Sequence, residues 1–381
     1  MILLQETSED SVFLKTIFSC SDRVFIHDSK ADSLGEIQVP DPPISENISK
    51  EQKQALKNAK KDIIWMGFSA DKQYFALSTE NKQMIVFNDK FEPVKNIILS
   101  RTSSKICFSP KNDLLVADRT GDVYLYKLSD EKDEPQLLLG HLSVISDMLI
   151  TDCGRYVITC DRDEKVRVSC FPNGYNIISY CLGHTEFVTT LKMIKSANVL
   201  LSASGDGTVR MWNYLEGKQI NIINAGKLVD DQSLASFAKK MDSEKVDISA
   251  LPITDMQICE TQFDVLLALS LATVGKLFLF KICPNNLEYS YVQSIEVFSP
   301  DFTYFYDTNN SNLYVFSDKM FVYKFIDGKY VVLSSNSYEG TLGKFKEGFV
   351  KENSDISVWY KRRFDNVQEY LERKKMRLQV K

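Results

Sequence analysis

Two stretches of this chain return at one fixed distance. Leu139-Gly140-His141 recurs as Leu182-Gly183-His184, and Asp163-Glu164-Lys165-Val166-Arg167-Val168 recurs as Asp206-Gly207-Thr208-Val209-Arg210-Met211, each 43 residues later. One interval earlier, Asp161-Arg162 falls on Asp118-Arg119 and Val166 on Val123. Three consecutive units therefore share one period. A repeat of this length is a supersecondary unit that cannot bury its own apolar face, so neighbouring units must stack to make a core.

Within each unit the pattern is that of hairpins. Leu114-Leu115-Val116-Ala117 runs through Thr120-Gly121-Asp122 into Val123-Tyr124-Leu125-Tyr126. Tyr156-Val157-Ile158-Thr159 and Leu200-Leu201-Ser202-Ala203 lead in the same way through Asp163-Glu164-Lys165 and Asp206-Gly207 to the next apolar run. Short β-branched and apolar runs broken by Gly and Asp are strands joined by tight turns. A period of roughly 40–45 residues carrying Gly-His and a later Trp is the signature of WD-type propeller blades. Weaker units follow the same rhythm over 62–90, 248–282 and 301–325, and a partial one over 11–28. The expected fold is all-β, a seven-bladed WD-repeat β-propeller over 1–350, with one blade shared between the two chain ends to protect their edge strands.

Two stretches break the rhythm. Residues 36–61 hold Pro40, Pro42 and Pro43, then Ser49-Lys50-Glu51-Gln52, which resembles a helix-capping box. Residues 226–247 place Leu234, Phe237, Ala238 and Met241 at helical spacing. Both read as insertions carried on blade loops. The segment 351–381 reads as a basic tail whose helix sets Phe364, Val367, Tyr370 and Leu371 on one face.

A chain of 381 residues usually divides into domains, and a closed repeat fold is the main exception, because each repeat adds its own piece of core. Hydrophobic residues at 44% and charged residues at 25% are ordinary for a globular protein. No run approaches the roughly 20 apolar residues that cross a bilayer, and no basic region precedes an apolar stretch at the start, so neither a membrane span nor a signal peptide is expected. The eight cysteines (Cys20, Cys107, Cys153, Cys160, Cys170, Cys181, Cys259 and Cys283) are scattered through strand-like segments. They read as reduced, intracellular packing residues rather than a disulfide framework. The net charge of −5 conceals an asymmetry, because residues 361–381 contain eight Lys or Arg against three Asp or Glu. An acidic body argues against a broad nucleic-acid surface on the propeller, where phosphate attraction would dominate. The tail is of the opposite sign.

Candidate chemistry dissolves into structure. His184, Ser202, Asp206 and Trp212 have the types and order of a buried hydrogen-bonded tetrad, in which imidazole donates to carboxylate and accepts from hydroxyl while the indole N–H is also paired. The preceding unit repeats His141, Thr159 and Asp163, with Ser169 in place of the Trp. A hydrolytic triad would not be duplicated at the repeat period, so this set is read as structural. Cys153, Cys160, Cys170, Cys181 and His184 lack the paired C-x₂₋₄-C spacing of zinc sites. No nucleotide-cradling glycine motif occurs, so no cofactor and no metal are expected.

Charge on the turns is the remaining signal. Arg119, Arg162, Asp163, Glu164, Lys165 and Arg167 sit at equivalent points of two adjacent units, an alternation richer than a tight turn requires. Such an arrangement suits a charge-complementary docking patch. In the tail, Lys361, Arg362, Arg363, Arg373, Lys374 and Lys375 suit a solvated helix that caps the propeller, a contact with phosphate, or nuclear import.

The run Asp161-Arg162-Asp163-Glu164-Lys165-Val166-Arg167-Val168-Ser169, then Cys181-Leu182-Gly183-His184-Thr185-Glu186-Phe187-Val188, is more specific than a generic blade. Together with Ser204-Gly205-Asp206-Gly207-Thr208 and Arg363-Phe364-Asp365-Asn366-Val367, it resembles the non-catalytic WD-repeat subunit of tRNA (guanine-N7-)-methyltransferase. The resemblance implies a chain that catalyses nothing itself and forms a heterodimer with a Rossmann-like, S-adenosylmethionine-dependent subunit. That subunit would methylate guanine N7 in the tRNA variable loop, usually in the nucleus, with tRNA met through the complex. Carried over residue by residue, it assigns partner contact to Arg162, Asp163, Glu164, Lys165 and Arg167, with Arg119 at a basic position of the neighbouring blade. Arg167 keeps a second reading, support of the motif from within its strand. The competing expectation is a generic propeller adaptor, such as a ubiquitin-ligase substrate receptor or a chromatin scaffold.

Overall fold

The computed structural model describes residues 3–7, 14–28, 33–43, 60–129, 134–297, 302–307, 310–317, 319–336 and 356–361. Seven four-stranded antiparallel sheets cover 3–38, 63–98, 103–140, 145–181, 188–224, 253–296 and 303–336. These are blades one to seven of a β-propeller. In blades two to seven the first strand of each blade touches the first strand of the next, so these strands line the central axis. The fourth strands face outward, and Ile177–Cys181 is mostly exposed accordingly.

The middle strands lie between neighbouring blades and are buried on both faces. Every residue of Val199–Ser204 and of Val265–Leu271 is buried. This explains why the sequence shows continuous apolar runs rather than the alternation of a half-exposed sheet. The core is accordingly a chain of inter-blade clusters. Ile158, Val166 and Val168 of blade four pack on Val188, Leu191, Leu200 and Trp212 of blade five.

Ring closure departs from the expected shared blade. Each sheet is built from four consecutive strands, with Leu3–Thr7 completing blade one and Lys329–Asn336 completing blade seven. The ends are joined by side chains instead. Phe18 and Phe25 of blade one form one buried cluster with Phe305 and Phe316 of blade seven. Phe18 and Phe25 stack at 5.3 Å, and Phe305 and Phe316 at 5.6 Å. Aromatic packing of this kind joins blades without exchanging a strand.

The first insertion begins later than expected, because residues 36–38 belong to the strand Ser33–Gln38. Beyond it the chain is tied to blade two. Gln83 Nε2 donates to the Pro40 carbonyl at 2.9 Å, and Lys61 pairs with Asp41 at 2.7 Å. The expected helix start at Ser49 lies outside the described residues. The second insertion contains the helix Asp231–Asp242, capped by the Asp230 carboxylate, which accepts from Ser233 N at 2.7 Å. Phe237 and Met241 enter the core cluster of blades five and six, and Leu234 packs against it. Among the described residues, no helix is long and apolar enough to cross a membrane.

Residues 351–355 and 362–381 of the tail lie outside the described residues. Residues 356–361 return to the propeller: a 3₁₀ turn, Ile356–Trp359, leads Tyr360 into the blade-five core cluster.

Candidate partner-docking face

Blade five supplies the complete tetrad. Trp212 Nε1 donates to Ser202 Oγ at 2.7 Å, His184 Nε2 lies 2.7 Å from the same oxygen, and His184 Nδ1 lies 2.9 Å from Asp206 Oδ2. The Asp206 carboxylate can only accept, so His184 carries a proton on Nδ1 and donates it there. With Nε2 left as the acceptor, Ser202 Oγ donates to it while accepting from the indole. Burial alone would raise the Asp206 carboxyl, but the bonds from His184, Thr208 and Thr185 N outweigh it and bring it down to about 2.

Blade four uses a different carboxylate from the one expected. His141 Nδ1 meets Asp161 Oδ2 at 2.8 Å, and Nε2 meets Thr159 Oγ1 at 2.8 Å. Asp163, which the repeat aligns with Asp206, is not the partner of His141. Asp161 lies two residues earlier, and its second oxygen, Oδ1, accepts from the amides of Asp163 at 2.9 Å and Lys165 at 3.1 Å. One carboxylate thus anchors the histidine and closes the turn, leaving the Asp163 side chain free of the tetrad. Blade three keeps the turn function alone: Asp118 Oδ1 accepts from Thr120 N, Thr120 Oγ1 and Asp122 N.

The missing Trp is replaced from within the same strand. Arg167 is buried, with Nε donating to Ser169 Oγ at 2.9 Å, one terminal nitrogen to Gly140 O at 3.0 Å and the other to Gly174 O at 2.7 Å. Burial lowers its pKa from the usual arginine value. These bonds settle its geometry in favour of internal support, and the assignment of Arg167 to a partner surface is corrected. Its guanidinium is committed to two backbone carbonyls and a buried hydroxyl.

The other five patch residues share one face. The amides of Arg119 and Arg162 donate to Thr102 O at 3.2 Å and Val144 O at 3.0 Å, so each turn sits against the loop entering its own blade. The third equivalent, Gly205 N, donates to Phe187 O at 2.8 Å. Arg119 and Lys165 are exposed, and Arg162, Asp163 and Glu164 are half-buried. Arg162 Nε is buried with no hydrogen-bond partner. Glu164 adopts φ +71°, a left-handed conformation that glycine fills in blades three and five (Gly121, +98°; Gly207, +73°) and Lys82 fills in blade two (+69°). Holding a side chain there costs on the order of 1 kcal/mol.

In blade five the Arg position is glycine for a steric reason. A Cβ on Gly205 would lie 2.6 Å from the Phe187 ring. That ring in turn receives the end of the chain. Trp359 stacks on it with centroids 6.1 Å apart, and Tyr360 meets it edge-on at 4.8 Å. Lys361 Nζ then reaches Glu164 Oε1 at 2.6 Å and lies 3.9 Å from Asp163 Oδ1. The Glu186 carboxyl is pushed up to about 7 by burial and by the neighbouring Glu164, against the opposing pull of Lys361. The aromatic pair and Glu186 escaped the reading of the sequence. Glu186 and Phe187 stand in the run that carries the resemblance with no role of their own, and the contact joins them to positions 359 and 360, far away in the chain.

Of the tail residues expected to meet tRNA, Lys361 is thus placed in an ion pair, and Arg362, Arg363, Arg373, Lys374 and Lys375 lie outside the described residues. Among the described residues no group of His, Cys, Asp and Glu could hold a metal ion, and all seven described cysteine side chains are free thiols. Cys153 is exposed rather than packed.

The propeller resembles solved propellers of low sequence identity. The β-propeller domain of Cps50 (Swd1) from Myceliophteria_thermophila matches with a TM-score of 0.58 at 11% identity, over 82% of this chain and 91% of that one. A chain of a mitotic checkpoint complex matches at 0.59 and 10% identity, over 79% and 80% respectively. Sequence relatives are more specific. Residues 127–320 match the model of the tRNA methyltransferase TRM82 WD40 domain. The tRNA (guanine-N(7)-)-methyltransferase non-catalytic subunit wdr4 of Xenopus laevis is 32% identical, over 83% of this chain and 80% of its own length. The subunit of that description named wuho in Drosophila melanogaster is 33% identical, over 82% and 74%. With a family model over half its length and relatives above 30% identity over most of it, this chain belongs to the family of non-catalytic WD-repeat subunits of tRNA (guanine-N7-)-methyltransferase.

Proposed function

We propose that this chain forms a heterodimer with the catalytic, S-adenosylmethionine-dependent subunit and holds it by the face that carries Arg119, Arg162, Asp163, Glu164 and Lys165. The supporting observation is the charge gathered there. Side chains of both signs from two adjacent blades stand on one rigid rim, and one of them, Glu164, occupies a backbone position where glycine would be less strained. Charged groups held by a closed β-framework favour one partner and one register over others. In this reading the methyl group is transferred to guanine N7 of the tRNA variable loop by the partner. The propeller stabilises that partner and orients it. The basic residues beyond Lys361, namely Arg362, Arg363, Arg373, Lys374 and Lys375, add attraction for the phosphate backbone, and the complex works in the nucleus.

The test is reconstitution with the catalytic subunit of the same organism. The expected result is a one-to-one complex that methylates tRNA, no transfer by this chain alone, and an affinity reduced about tenfold or more by Lys165→Glu. Methyl transfer by the purified chain alone, or recovery of ubiquitin-ligase or chromatin subunits in place of a methyltransferase from its own cell extract, contradicts the proposal.

A further inference from the structure

The segment 356–361 links two blades. Trp359 and Tyr360 lie on Phe187, in the loop that enters blade five, while Lys361 holds Glu164 in the turn of blade four. The contact is specific on both sides. Phe187 is 1% exposed, its ring lies where a side chain at position 205 would have to stand, and Tyr360 is 4% exposed. The lysine meets an acidic group rather than a single partner, because Asp163 and Glu164 both lie within ion-pair reach and Glu186 adds a third carboxyl nearby. Without Lys361 these carboxyls would repel one another at the point where the turn must present Asp163 and Glu164 in one fixed arrangement.

We propose that Trp359, Tyr360 and Lys361 are part of the partner-docking surface, as positioning residues that fix the blade-four turn for the catalytic subunit. This rests on the reading that the turn is where that subunit docks. It divides residues 361–381 in two, with Lys361 serving the protein interface and the basic residues after it serving tRNA. An exposed ion pair by itself adds little to fold stability, so loss of Lys361 shows in docking rather than in unfolding.

Five full-length or near-full-length proteins separate these roles: Lys361→Glu, Lys361→Arg, Glu164→Gln, the double variant combining Lys361→Glu with Glu164→Gln, and a chain ending after Lys361. Each is titrated with the purified catalytic subunit, and hydrogen exchange is followed at the Asp163 and Lys165 amides, which donate to Asp161. Lys361→Glu is expected to weaken binding about three- to tenfold and to speed exchange at both amides, while its thermal midpoint stays near that of the wild type. Lys361→Arg is expected to restore both readouts, and the chain ending after Lys361 to bind like the full chain. Adding Lys361→Glu to Glu164→Gln should cost less than Lys361→Glu costs the wild type, since the ion pair with Glu164 is already lost and only the repulsion from Asp163 and Glu186 remains. Unchanged affinity and exchange in Lys361→Glu, or fully additive losses in the double variant, overturn the proposal. If the wild-type chain fails to bind the catalytic subunit, the proposed function falls instead. The exchange readout then decides the positioning claim by itself: faster exchange in Lys361→Glu upholds it, and unchanged exchange overturns it.

Discussion

Asp161 uses its two oxygens for different ends, one toward His141 and one toward the turn amides, while its neighbour Arg167 stands in for an absent tryptophan. Buried polar groups in this fold persist because each is answered by another. Two predictions belong at this scale. Arg167→Glu removes donors from Gly140 O, Gly174 O and Ser169 and buries an unanswered charge, so it should cost at least about 3 kcal/mol of stability. Lys165→Glu, on an exposed side chain, should leave the thermal midpoint nearly unchanged, and equal losses in the two variants would contradict the placement of Arg167. The second concerns acid. The folded Asp206 carboxyl, at about 2, lies below its usual 3.8. A depressed pKa contributes stability above the unfolded value, and that contribution, about 2 kcal/mol, is lost as pH falls from roughly 4 to 2. Glu186 behaves oppositely. Its carboxyl is raised to about 7 from 4.5, so stability falls as pH rises through that window. Glu186→Gln should therefore raise the thermal midpoint at pH 8 and leave it unchanged at pH 4.5, as a melting series across pH would show.

At the scale of the blade, the two turns that carry the charged patch are legible from the sequence, because the 43-residue period sets Arg119 against Arg162 and both are found at equivalent points. The tetrad carboxylate of blade four is misread by two residues for a definite reason. Sequence repetition aligns Asp163 with Asp206, but the turn of blade four is closed by Asp161 and that of blade five by Ser204 and Asp206 together, so the same task falls to different positions. The burial of Arg167 is hidden for another reason. The middle strands have a blade on either side, so alternation along Val166–Cys170 does not tell solvent from core. The docking of Trp359 and Tyr360 on Phe187 involves no repeat and joins positions far apart in the chain, and nothing local marks it. Gly205 reports on that contact. Gly205→Leu should displace Phe187, loosen residues 356–361 and speed exchange at the Tyr360 amide, which donates to Ser357 O at 3.2 Å. Exchange as slow as in the wild type would show that the ring tolerates the added side chain.

The whole molecule is a ring whose last joint is aromatic. Phe18 and Phe25 meet Phe305 and Phe316, and among the described residues no strand passes between first and last blades, so Phe316→Ala should cost about 3–5 kcal/mol and open the ring at that joint first. Faster exchange confined to blades one and seven would be the sign of it, whereas uniform loosening would place the weak joint elsewhere. A closed ring of this kind holds the turns between the second and third strands of its blades on one face, which is the platform that the proposed docking requires. The most direct measurement is methyl transfer from S-adenosylmethionine to tRNA by the catalytic subunit at fixed concentration, titrated with this chain and with its Glu164→Lys variant. Activity is expected to rise to saturation at one equivalent of the wild-type chain, with the variant requiring about tenfold more or failing to saturate. Activity that is independent of the added chain, or that the variant supports as well as the wild type, would contradict the proposed docking.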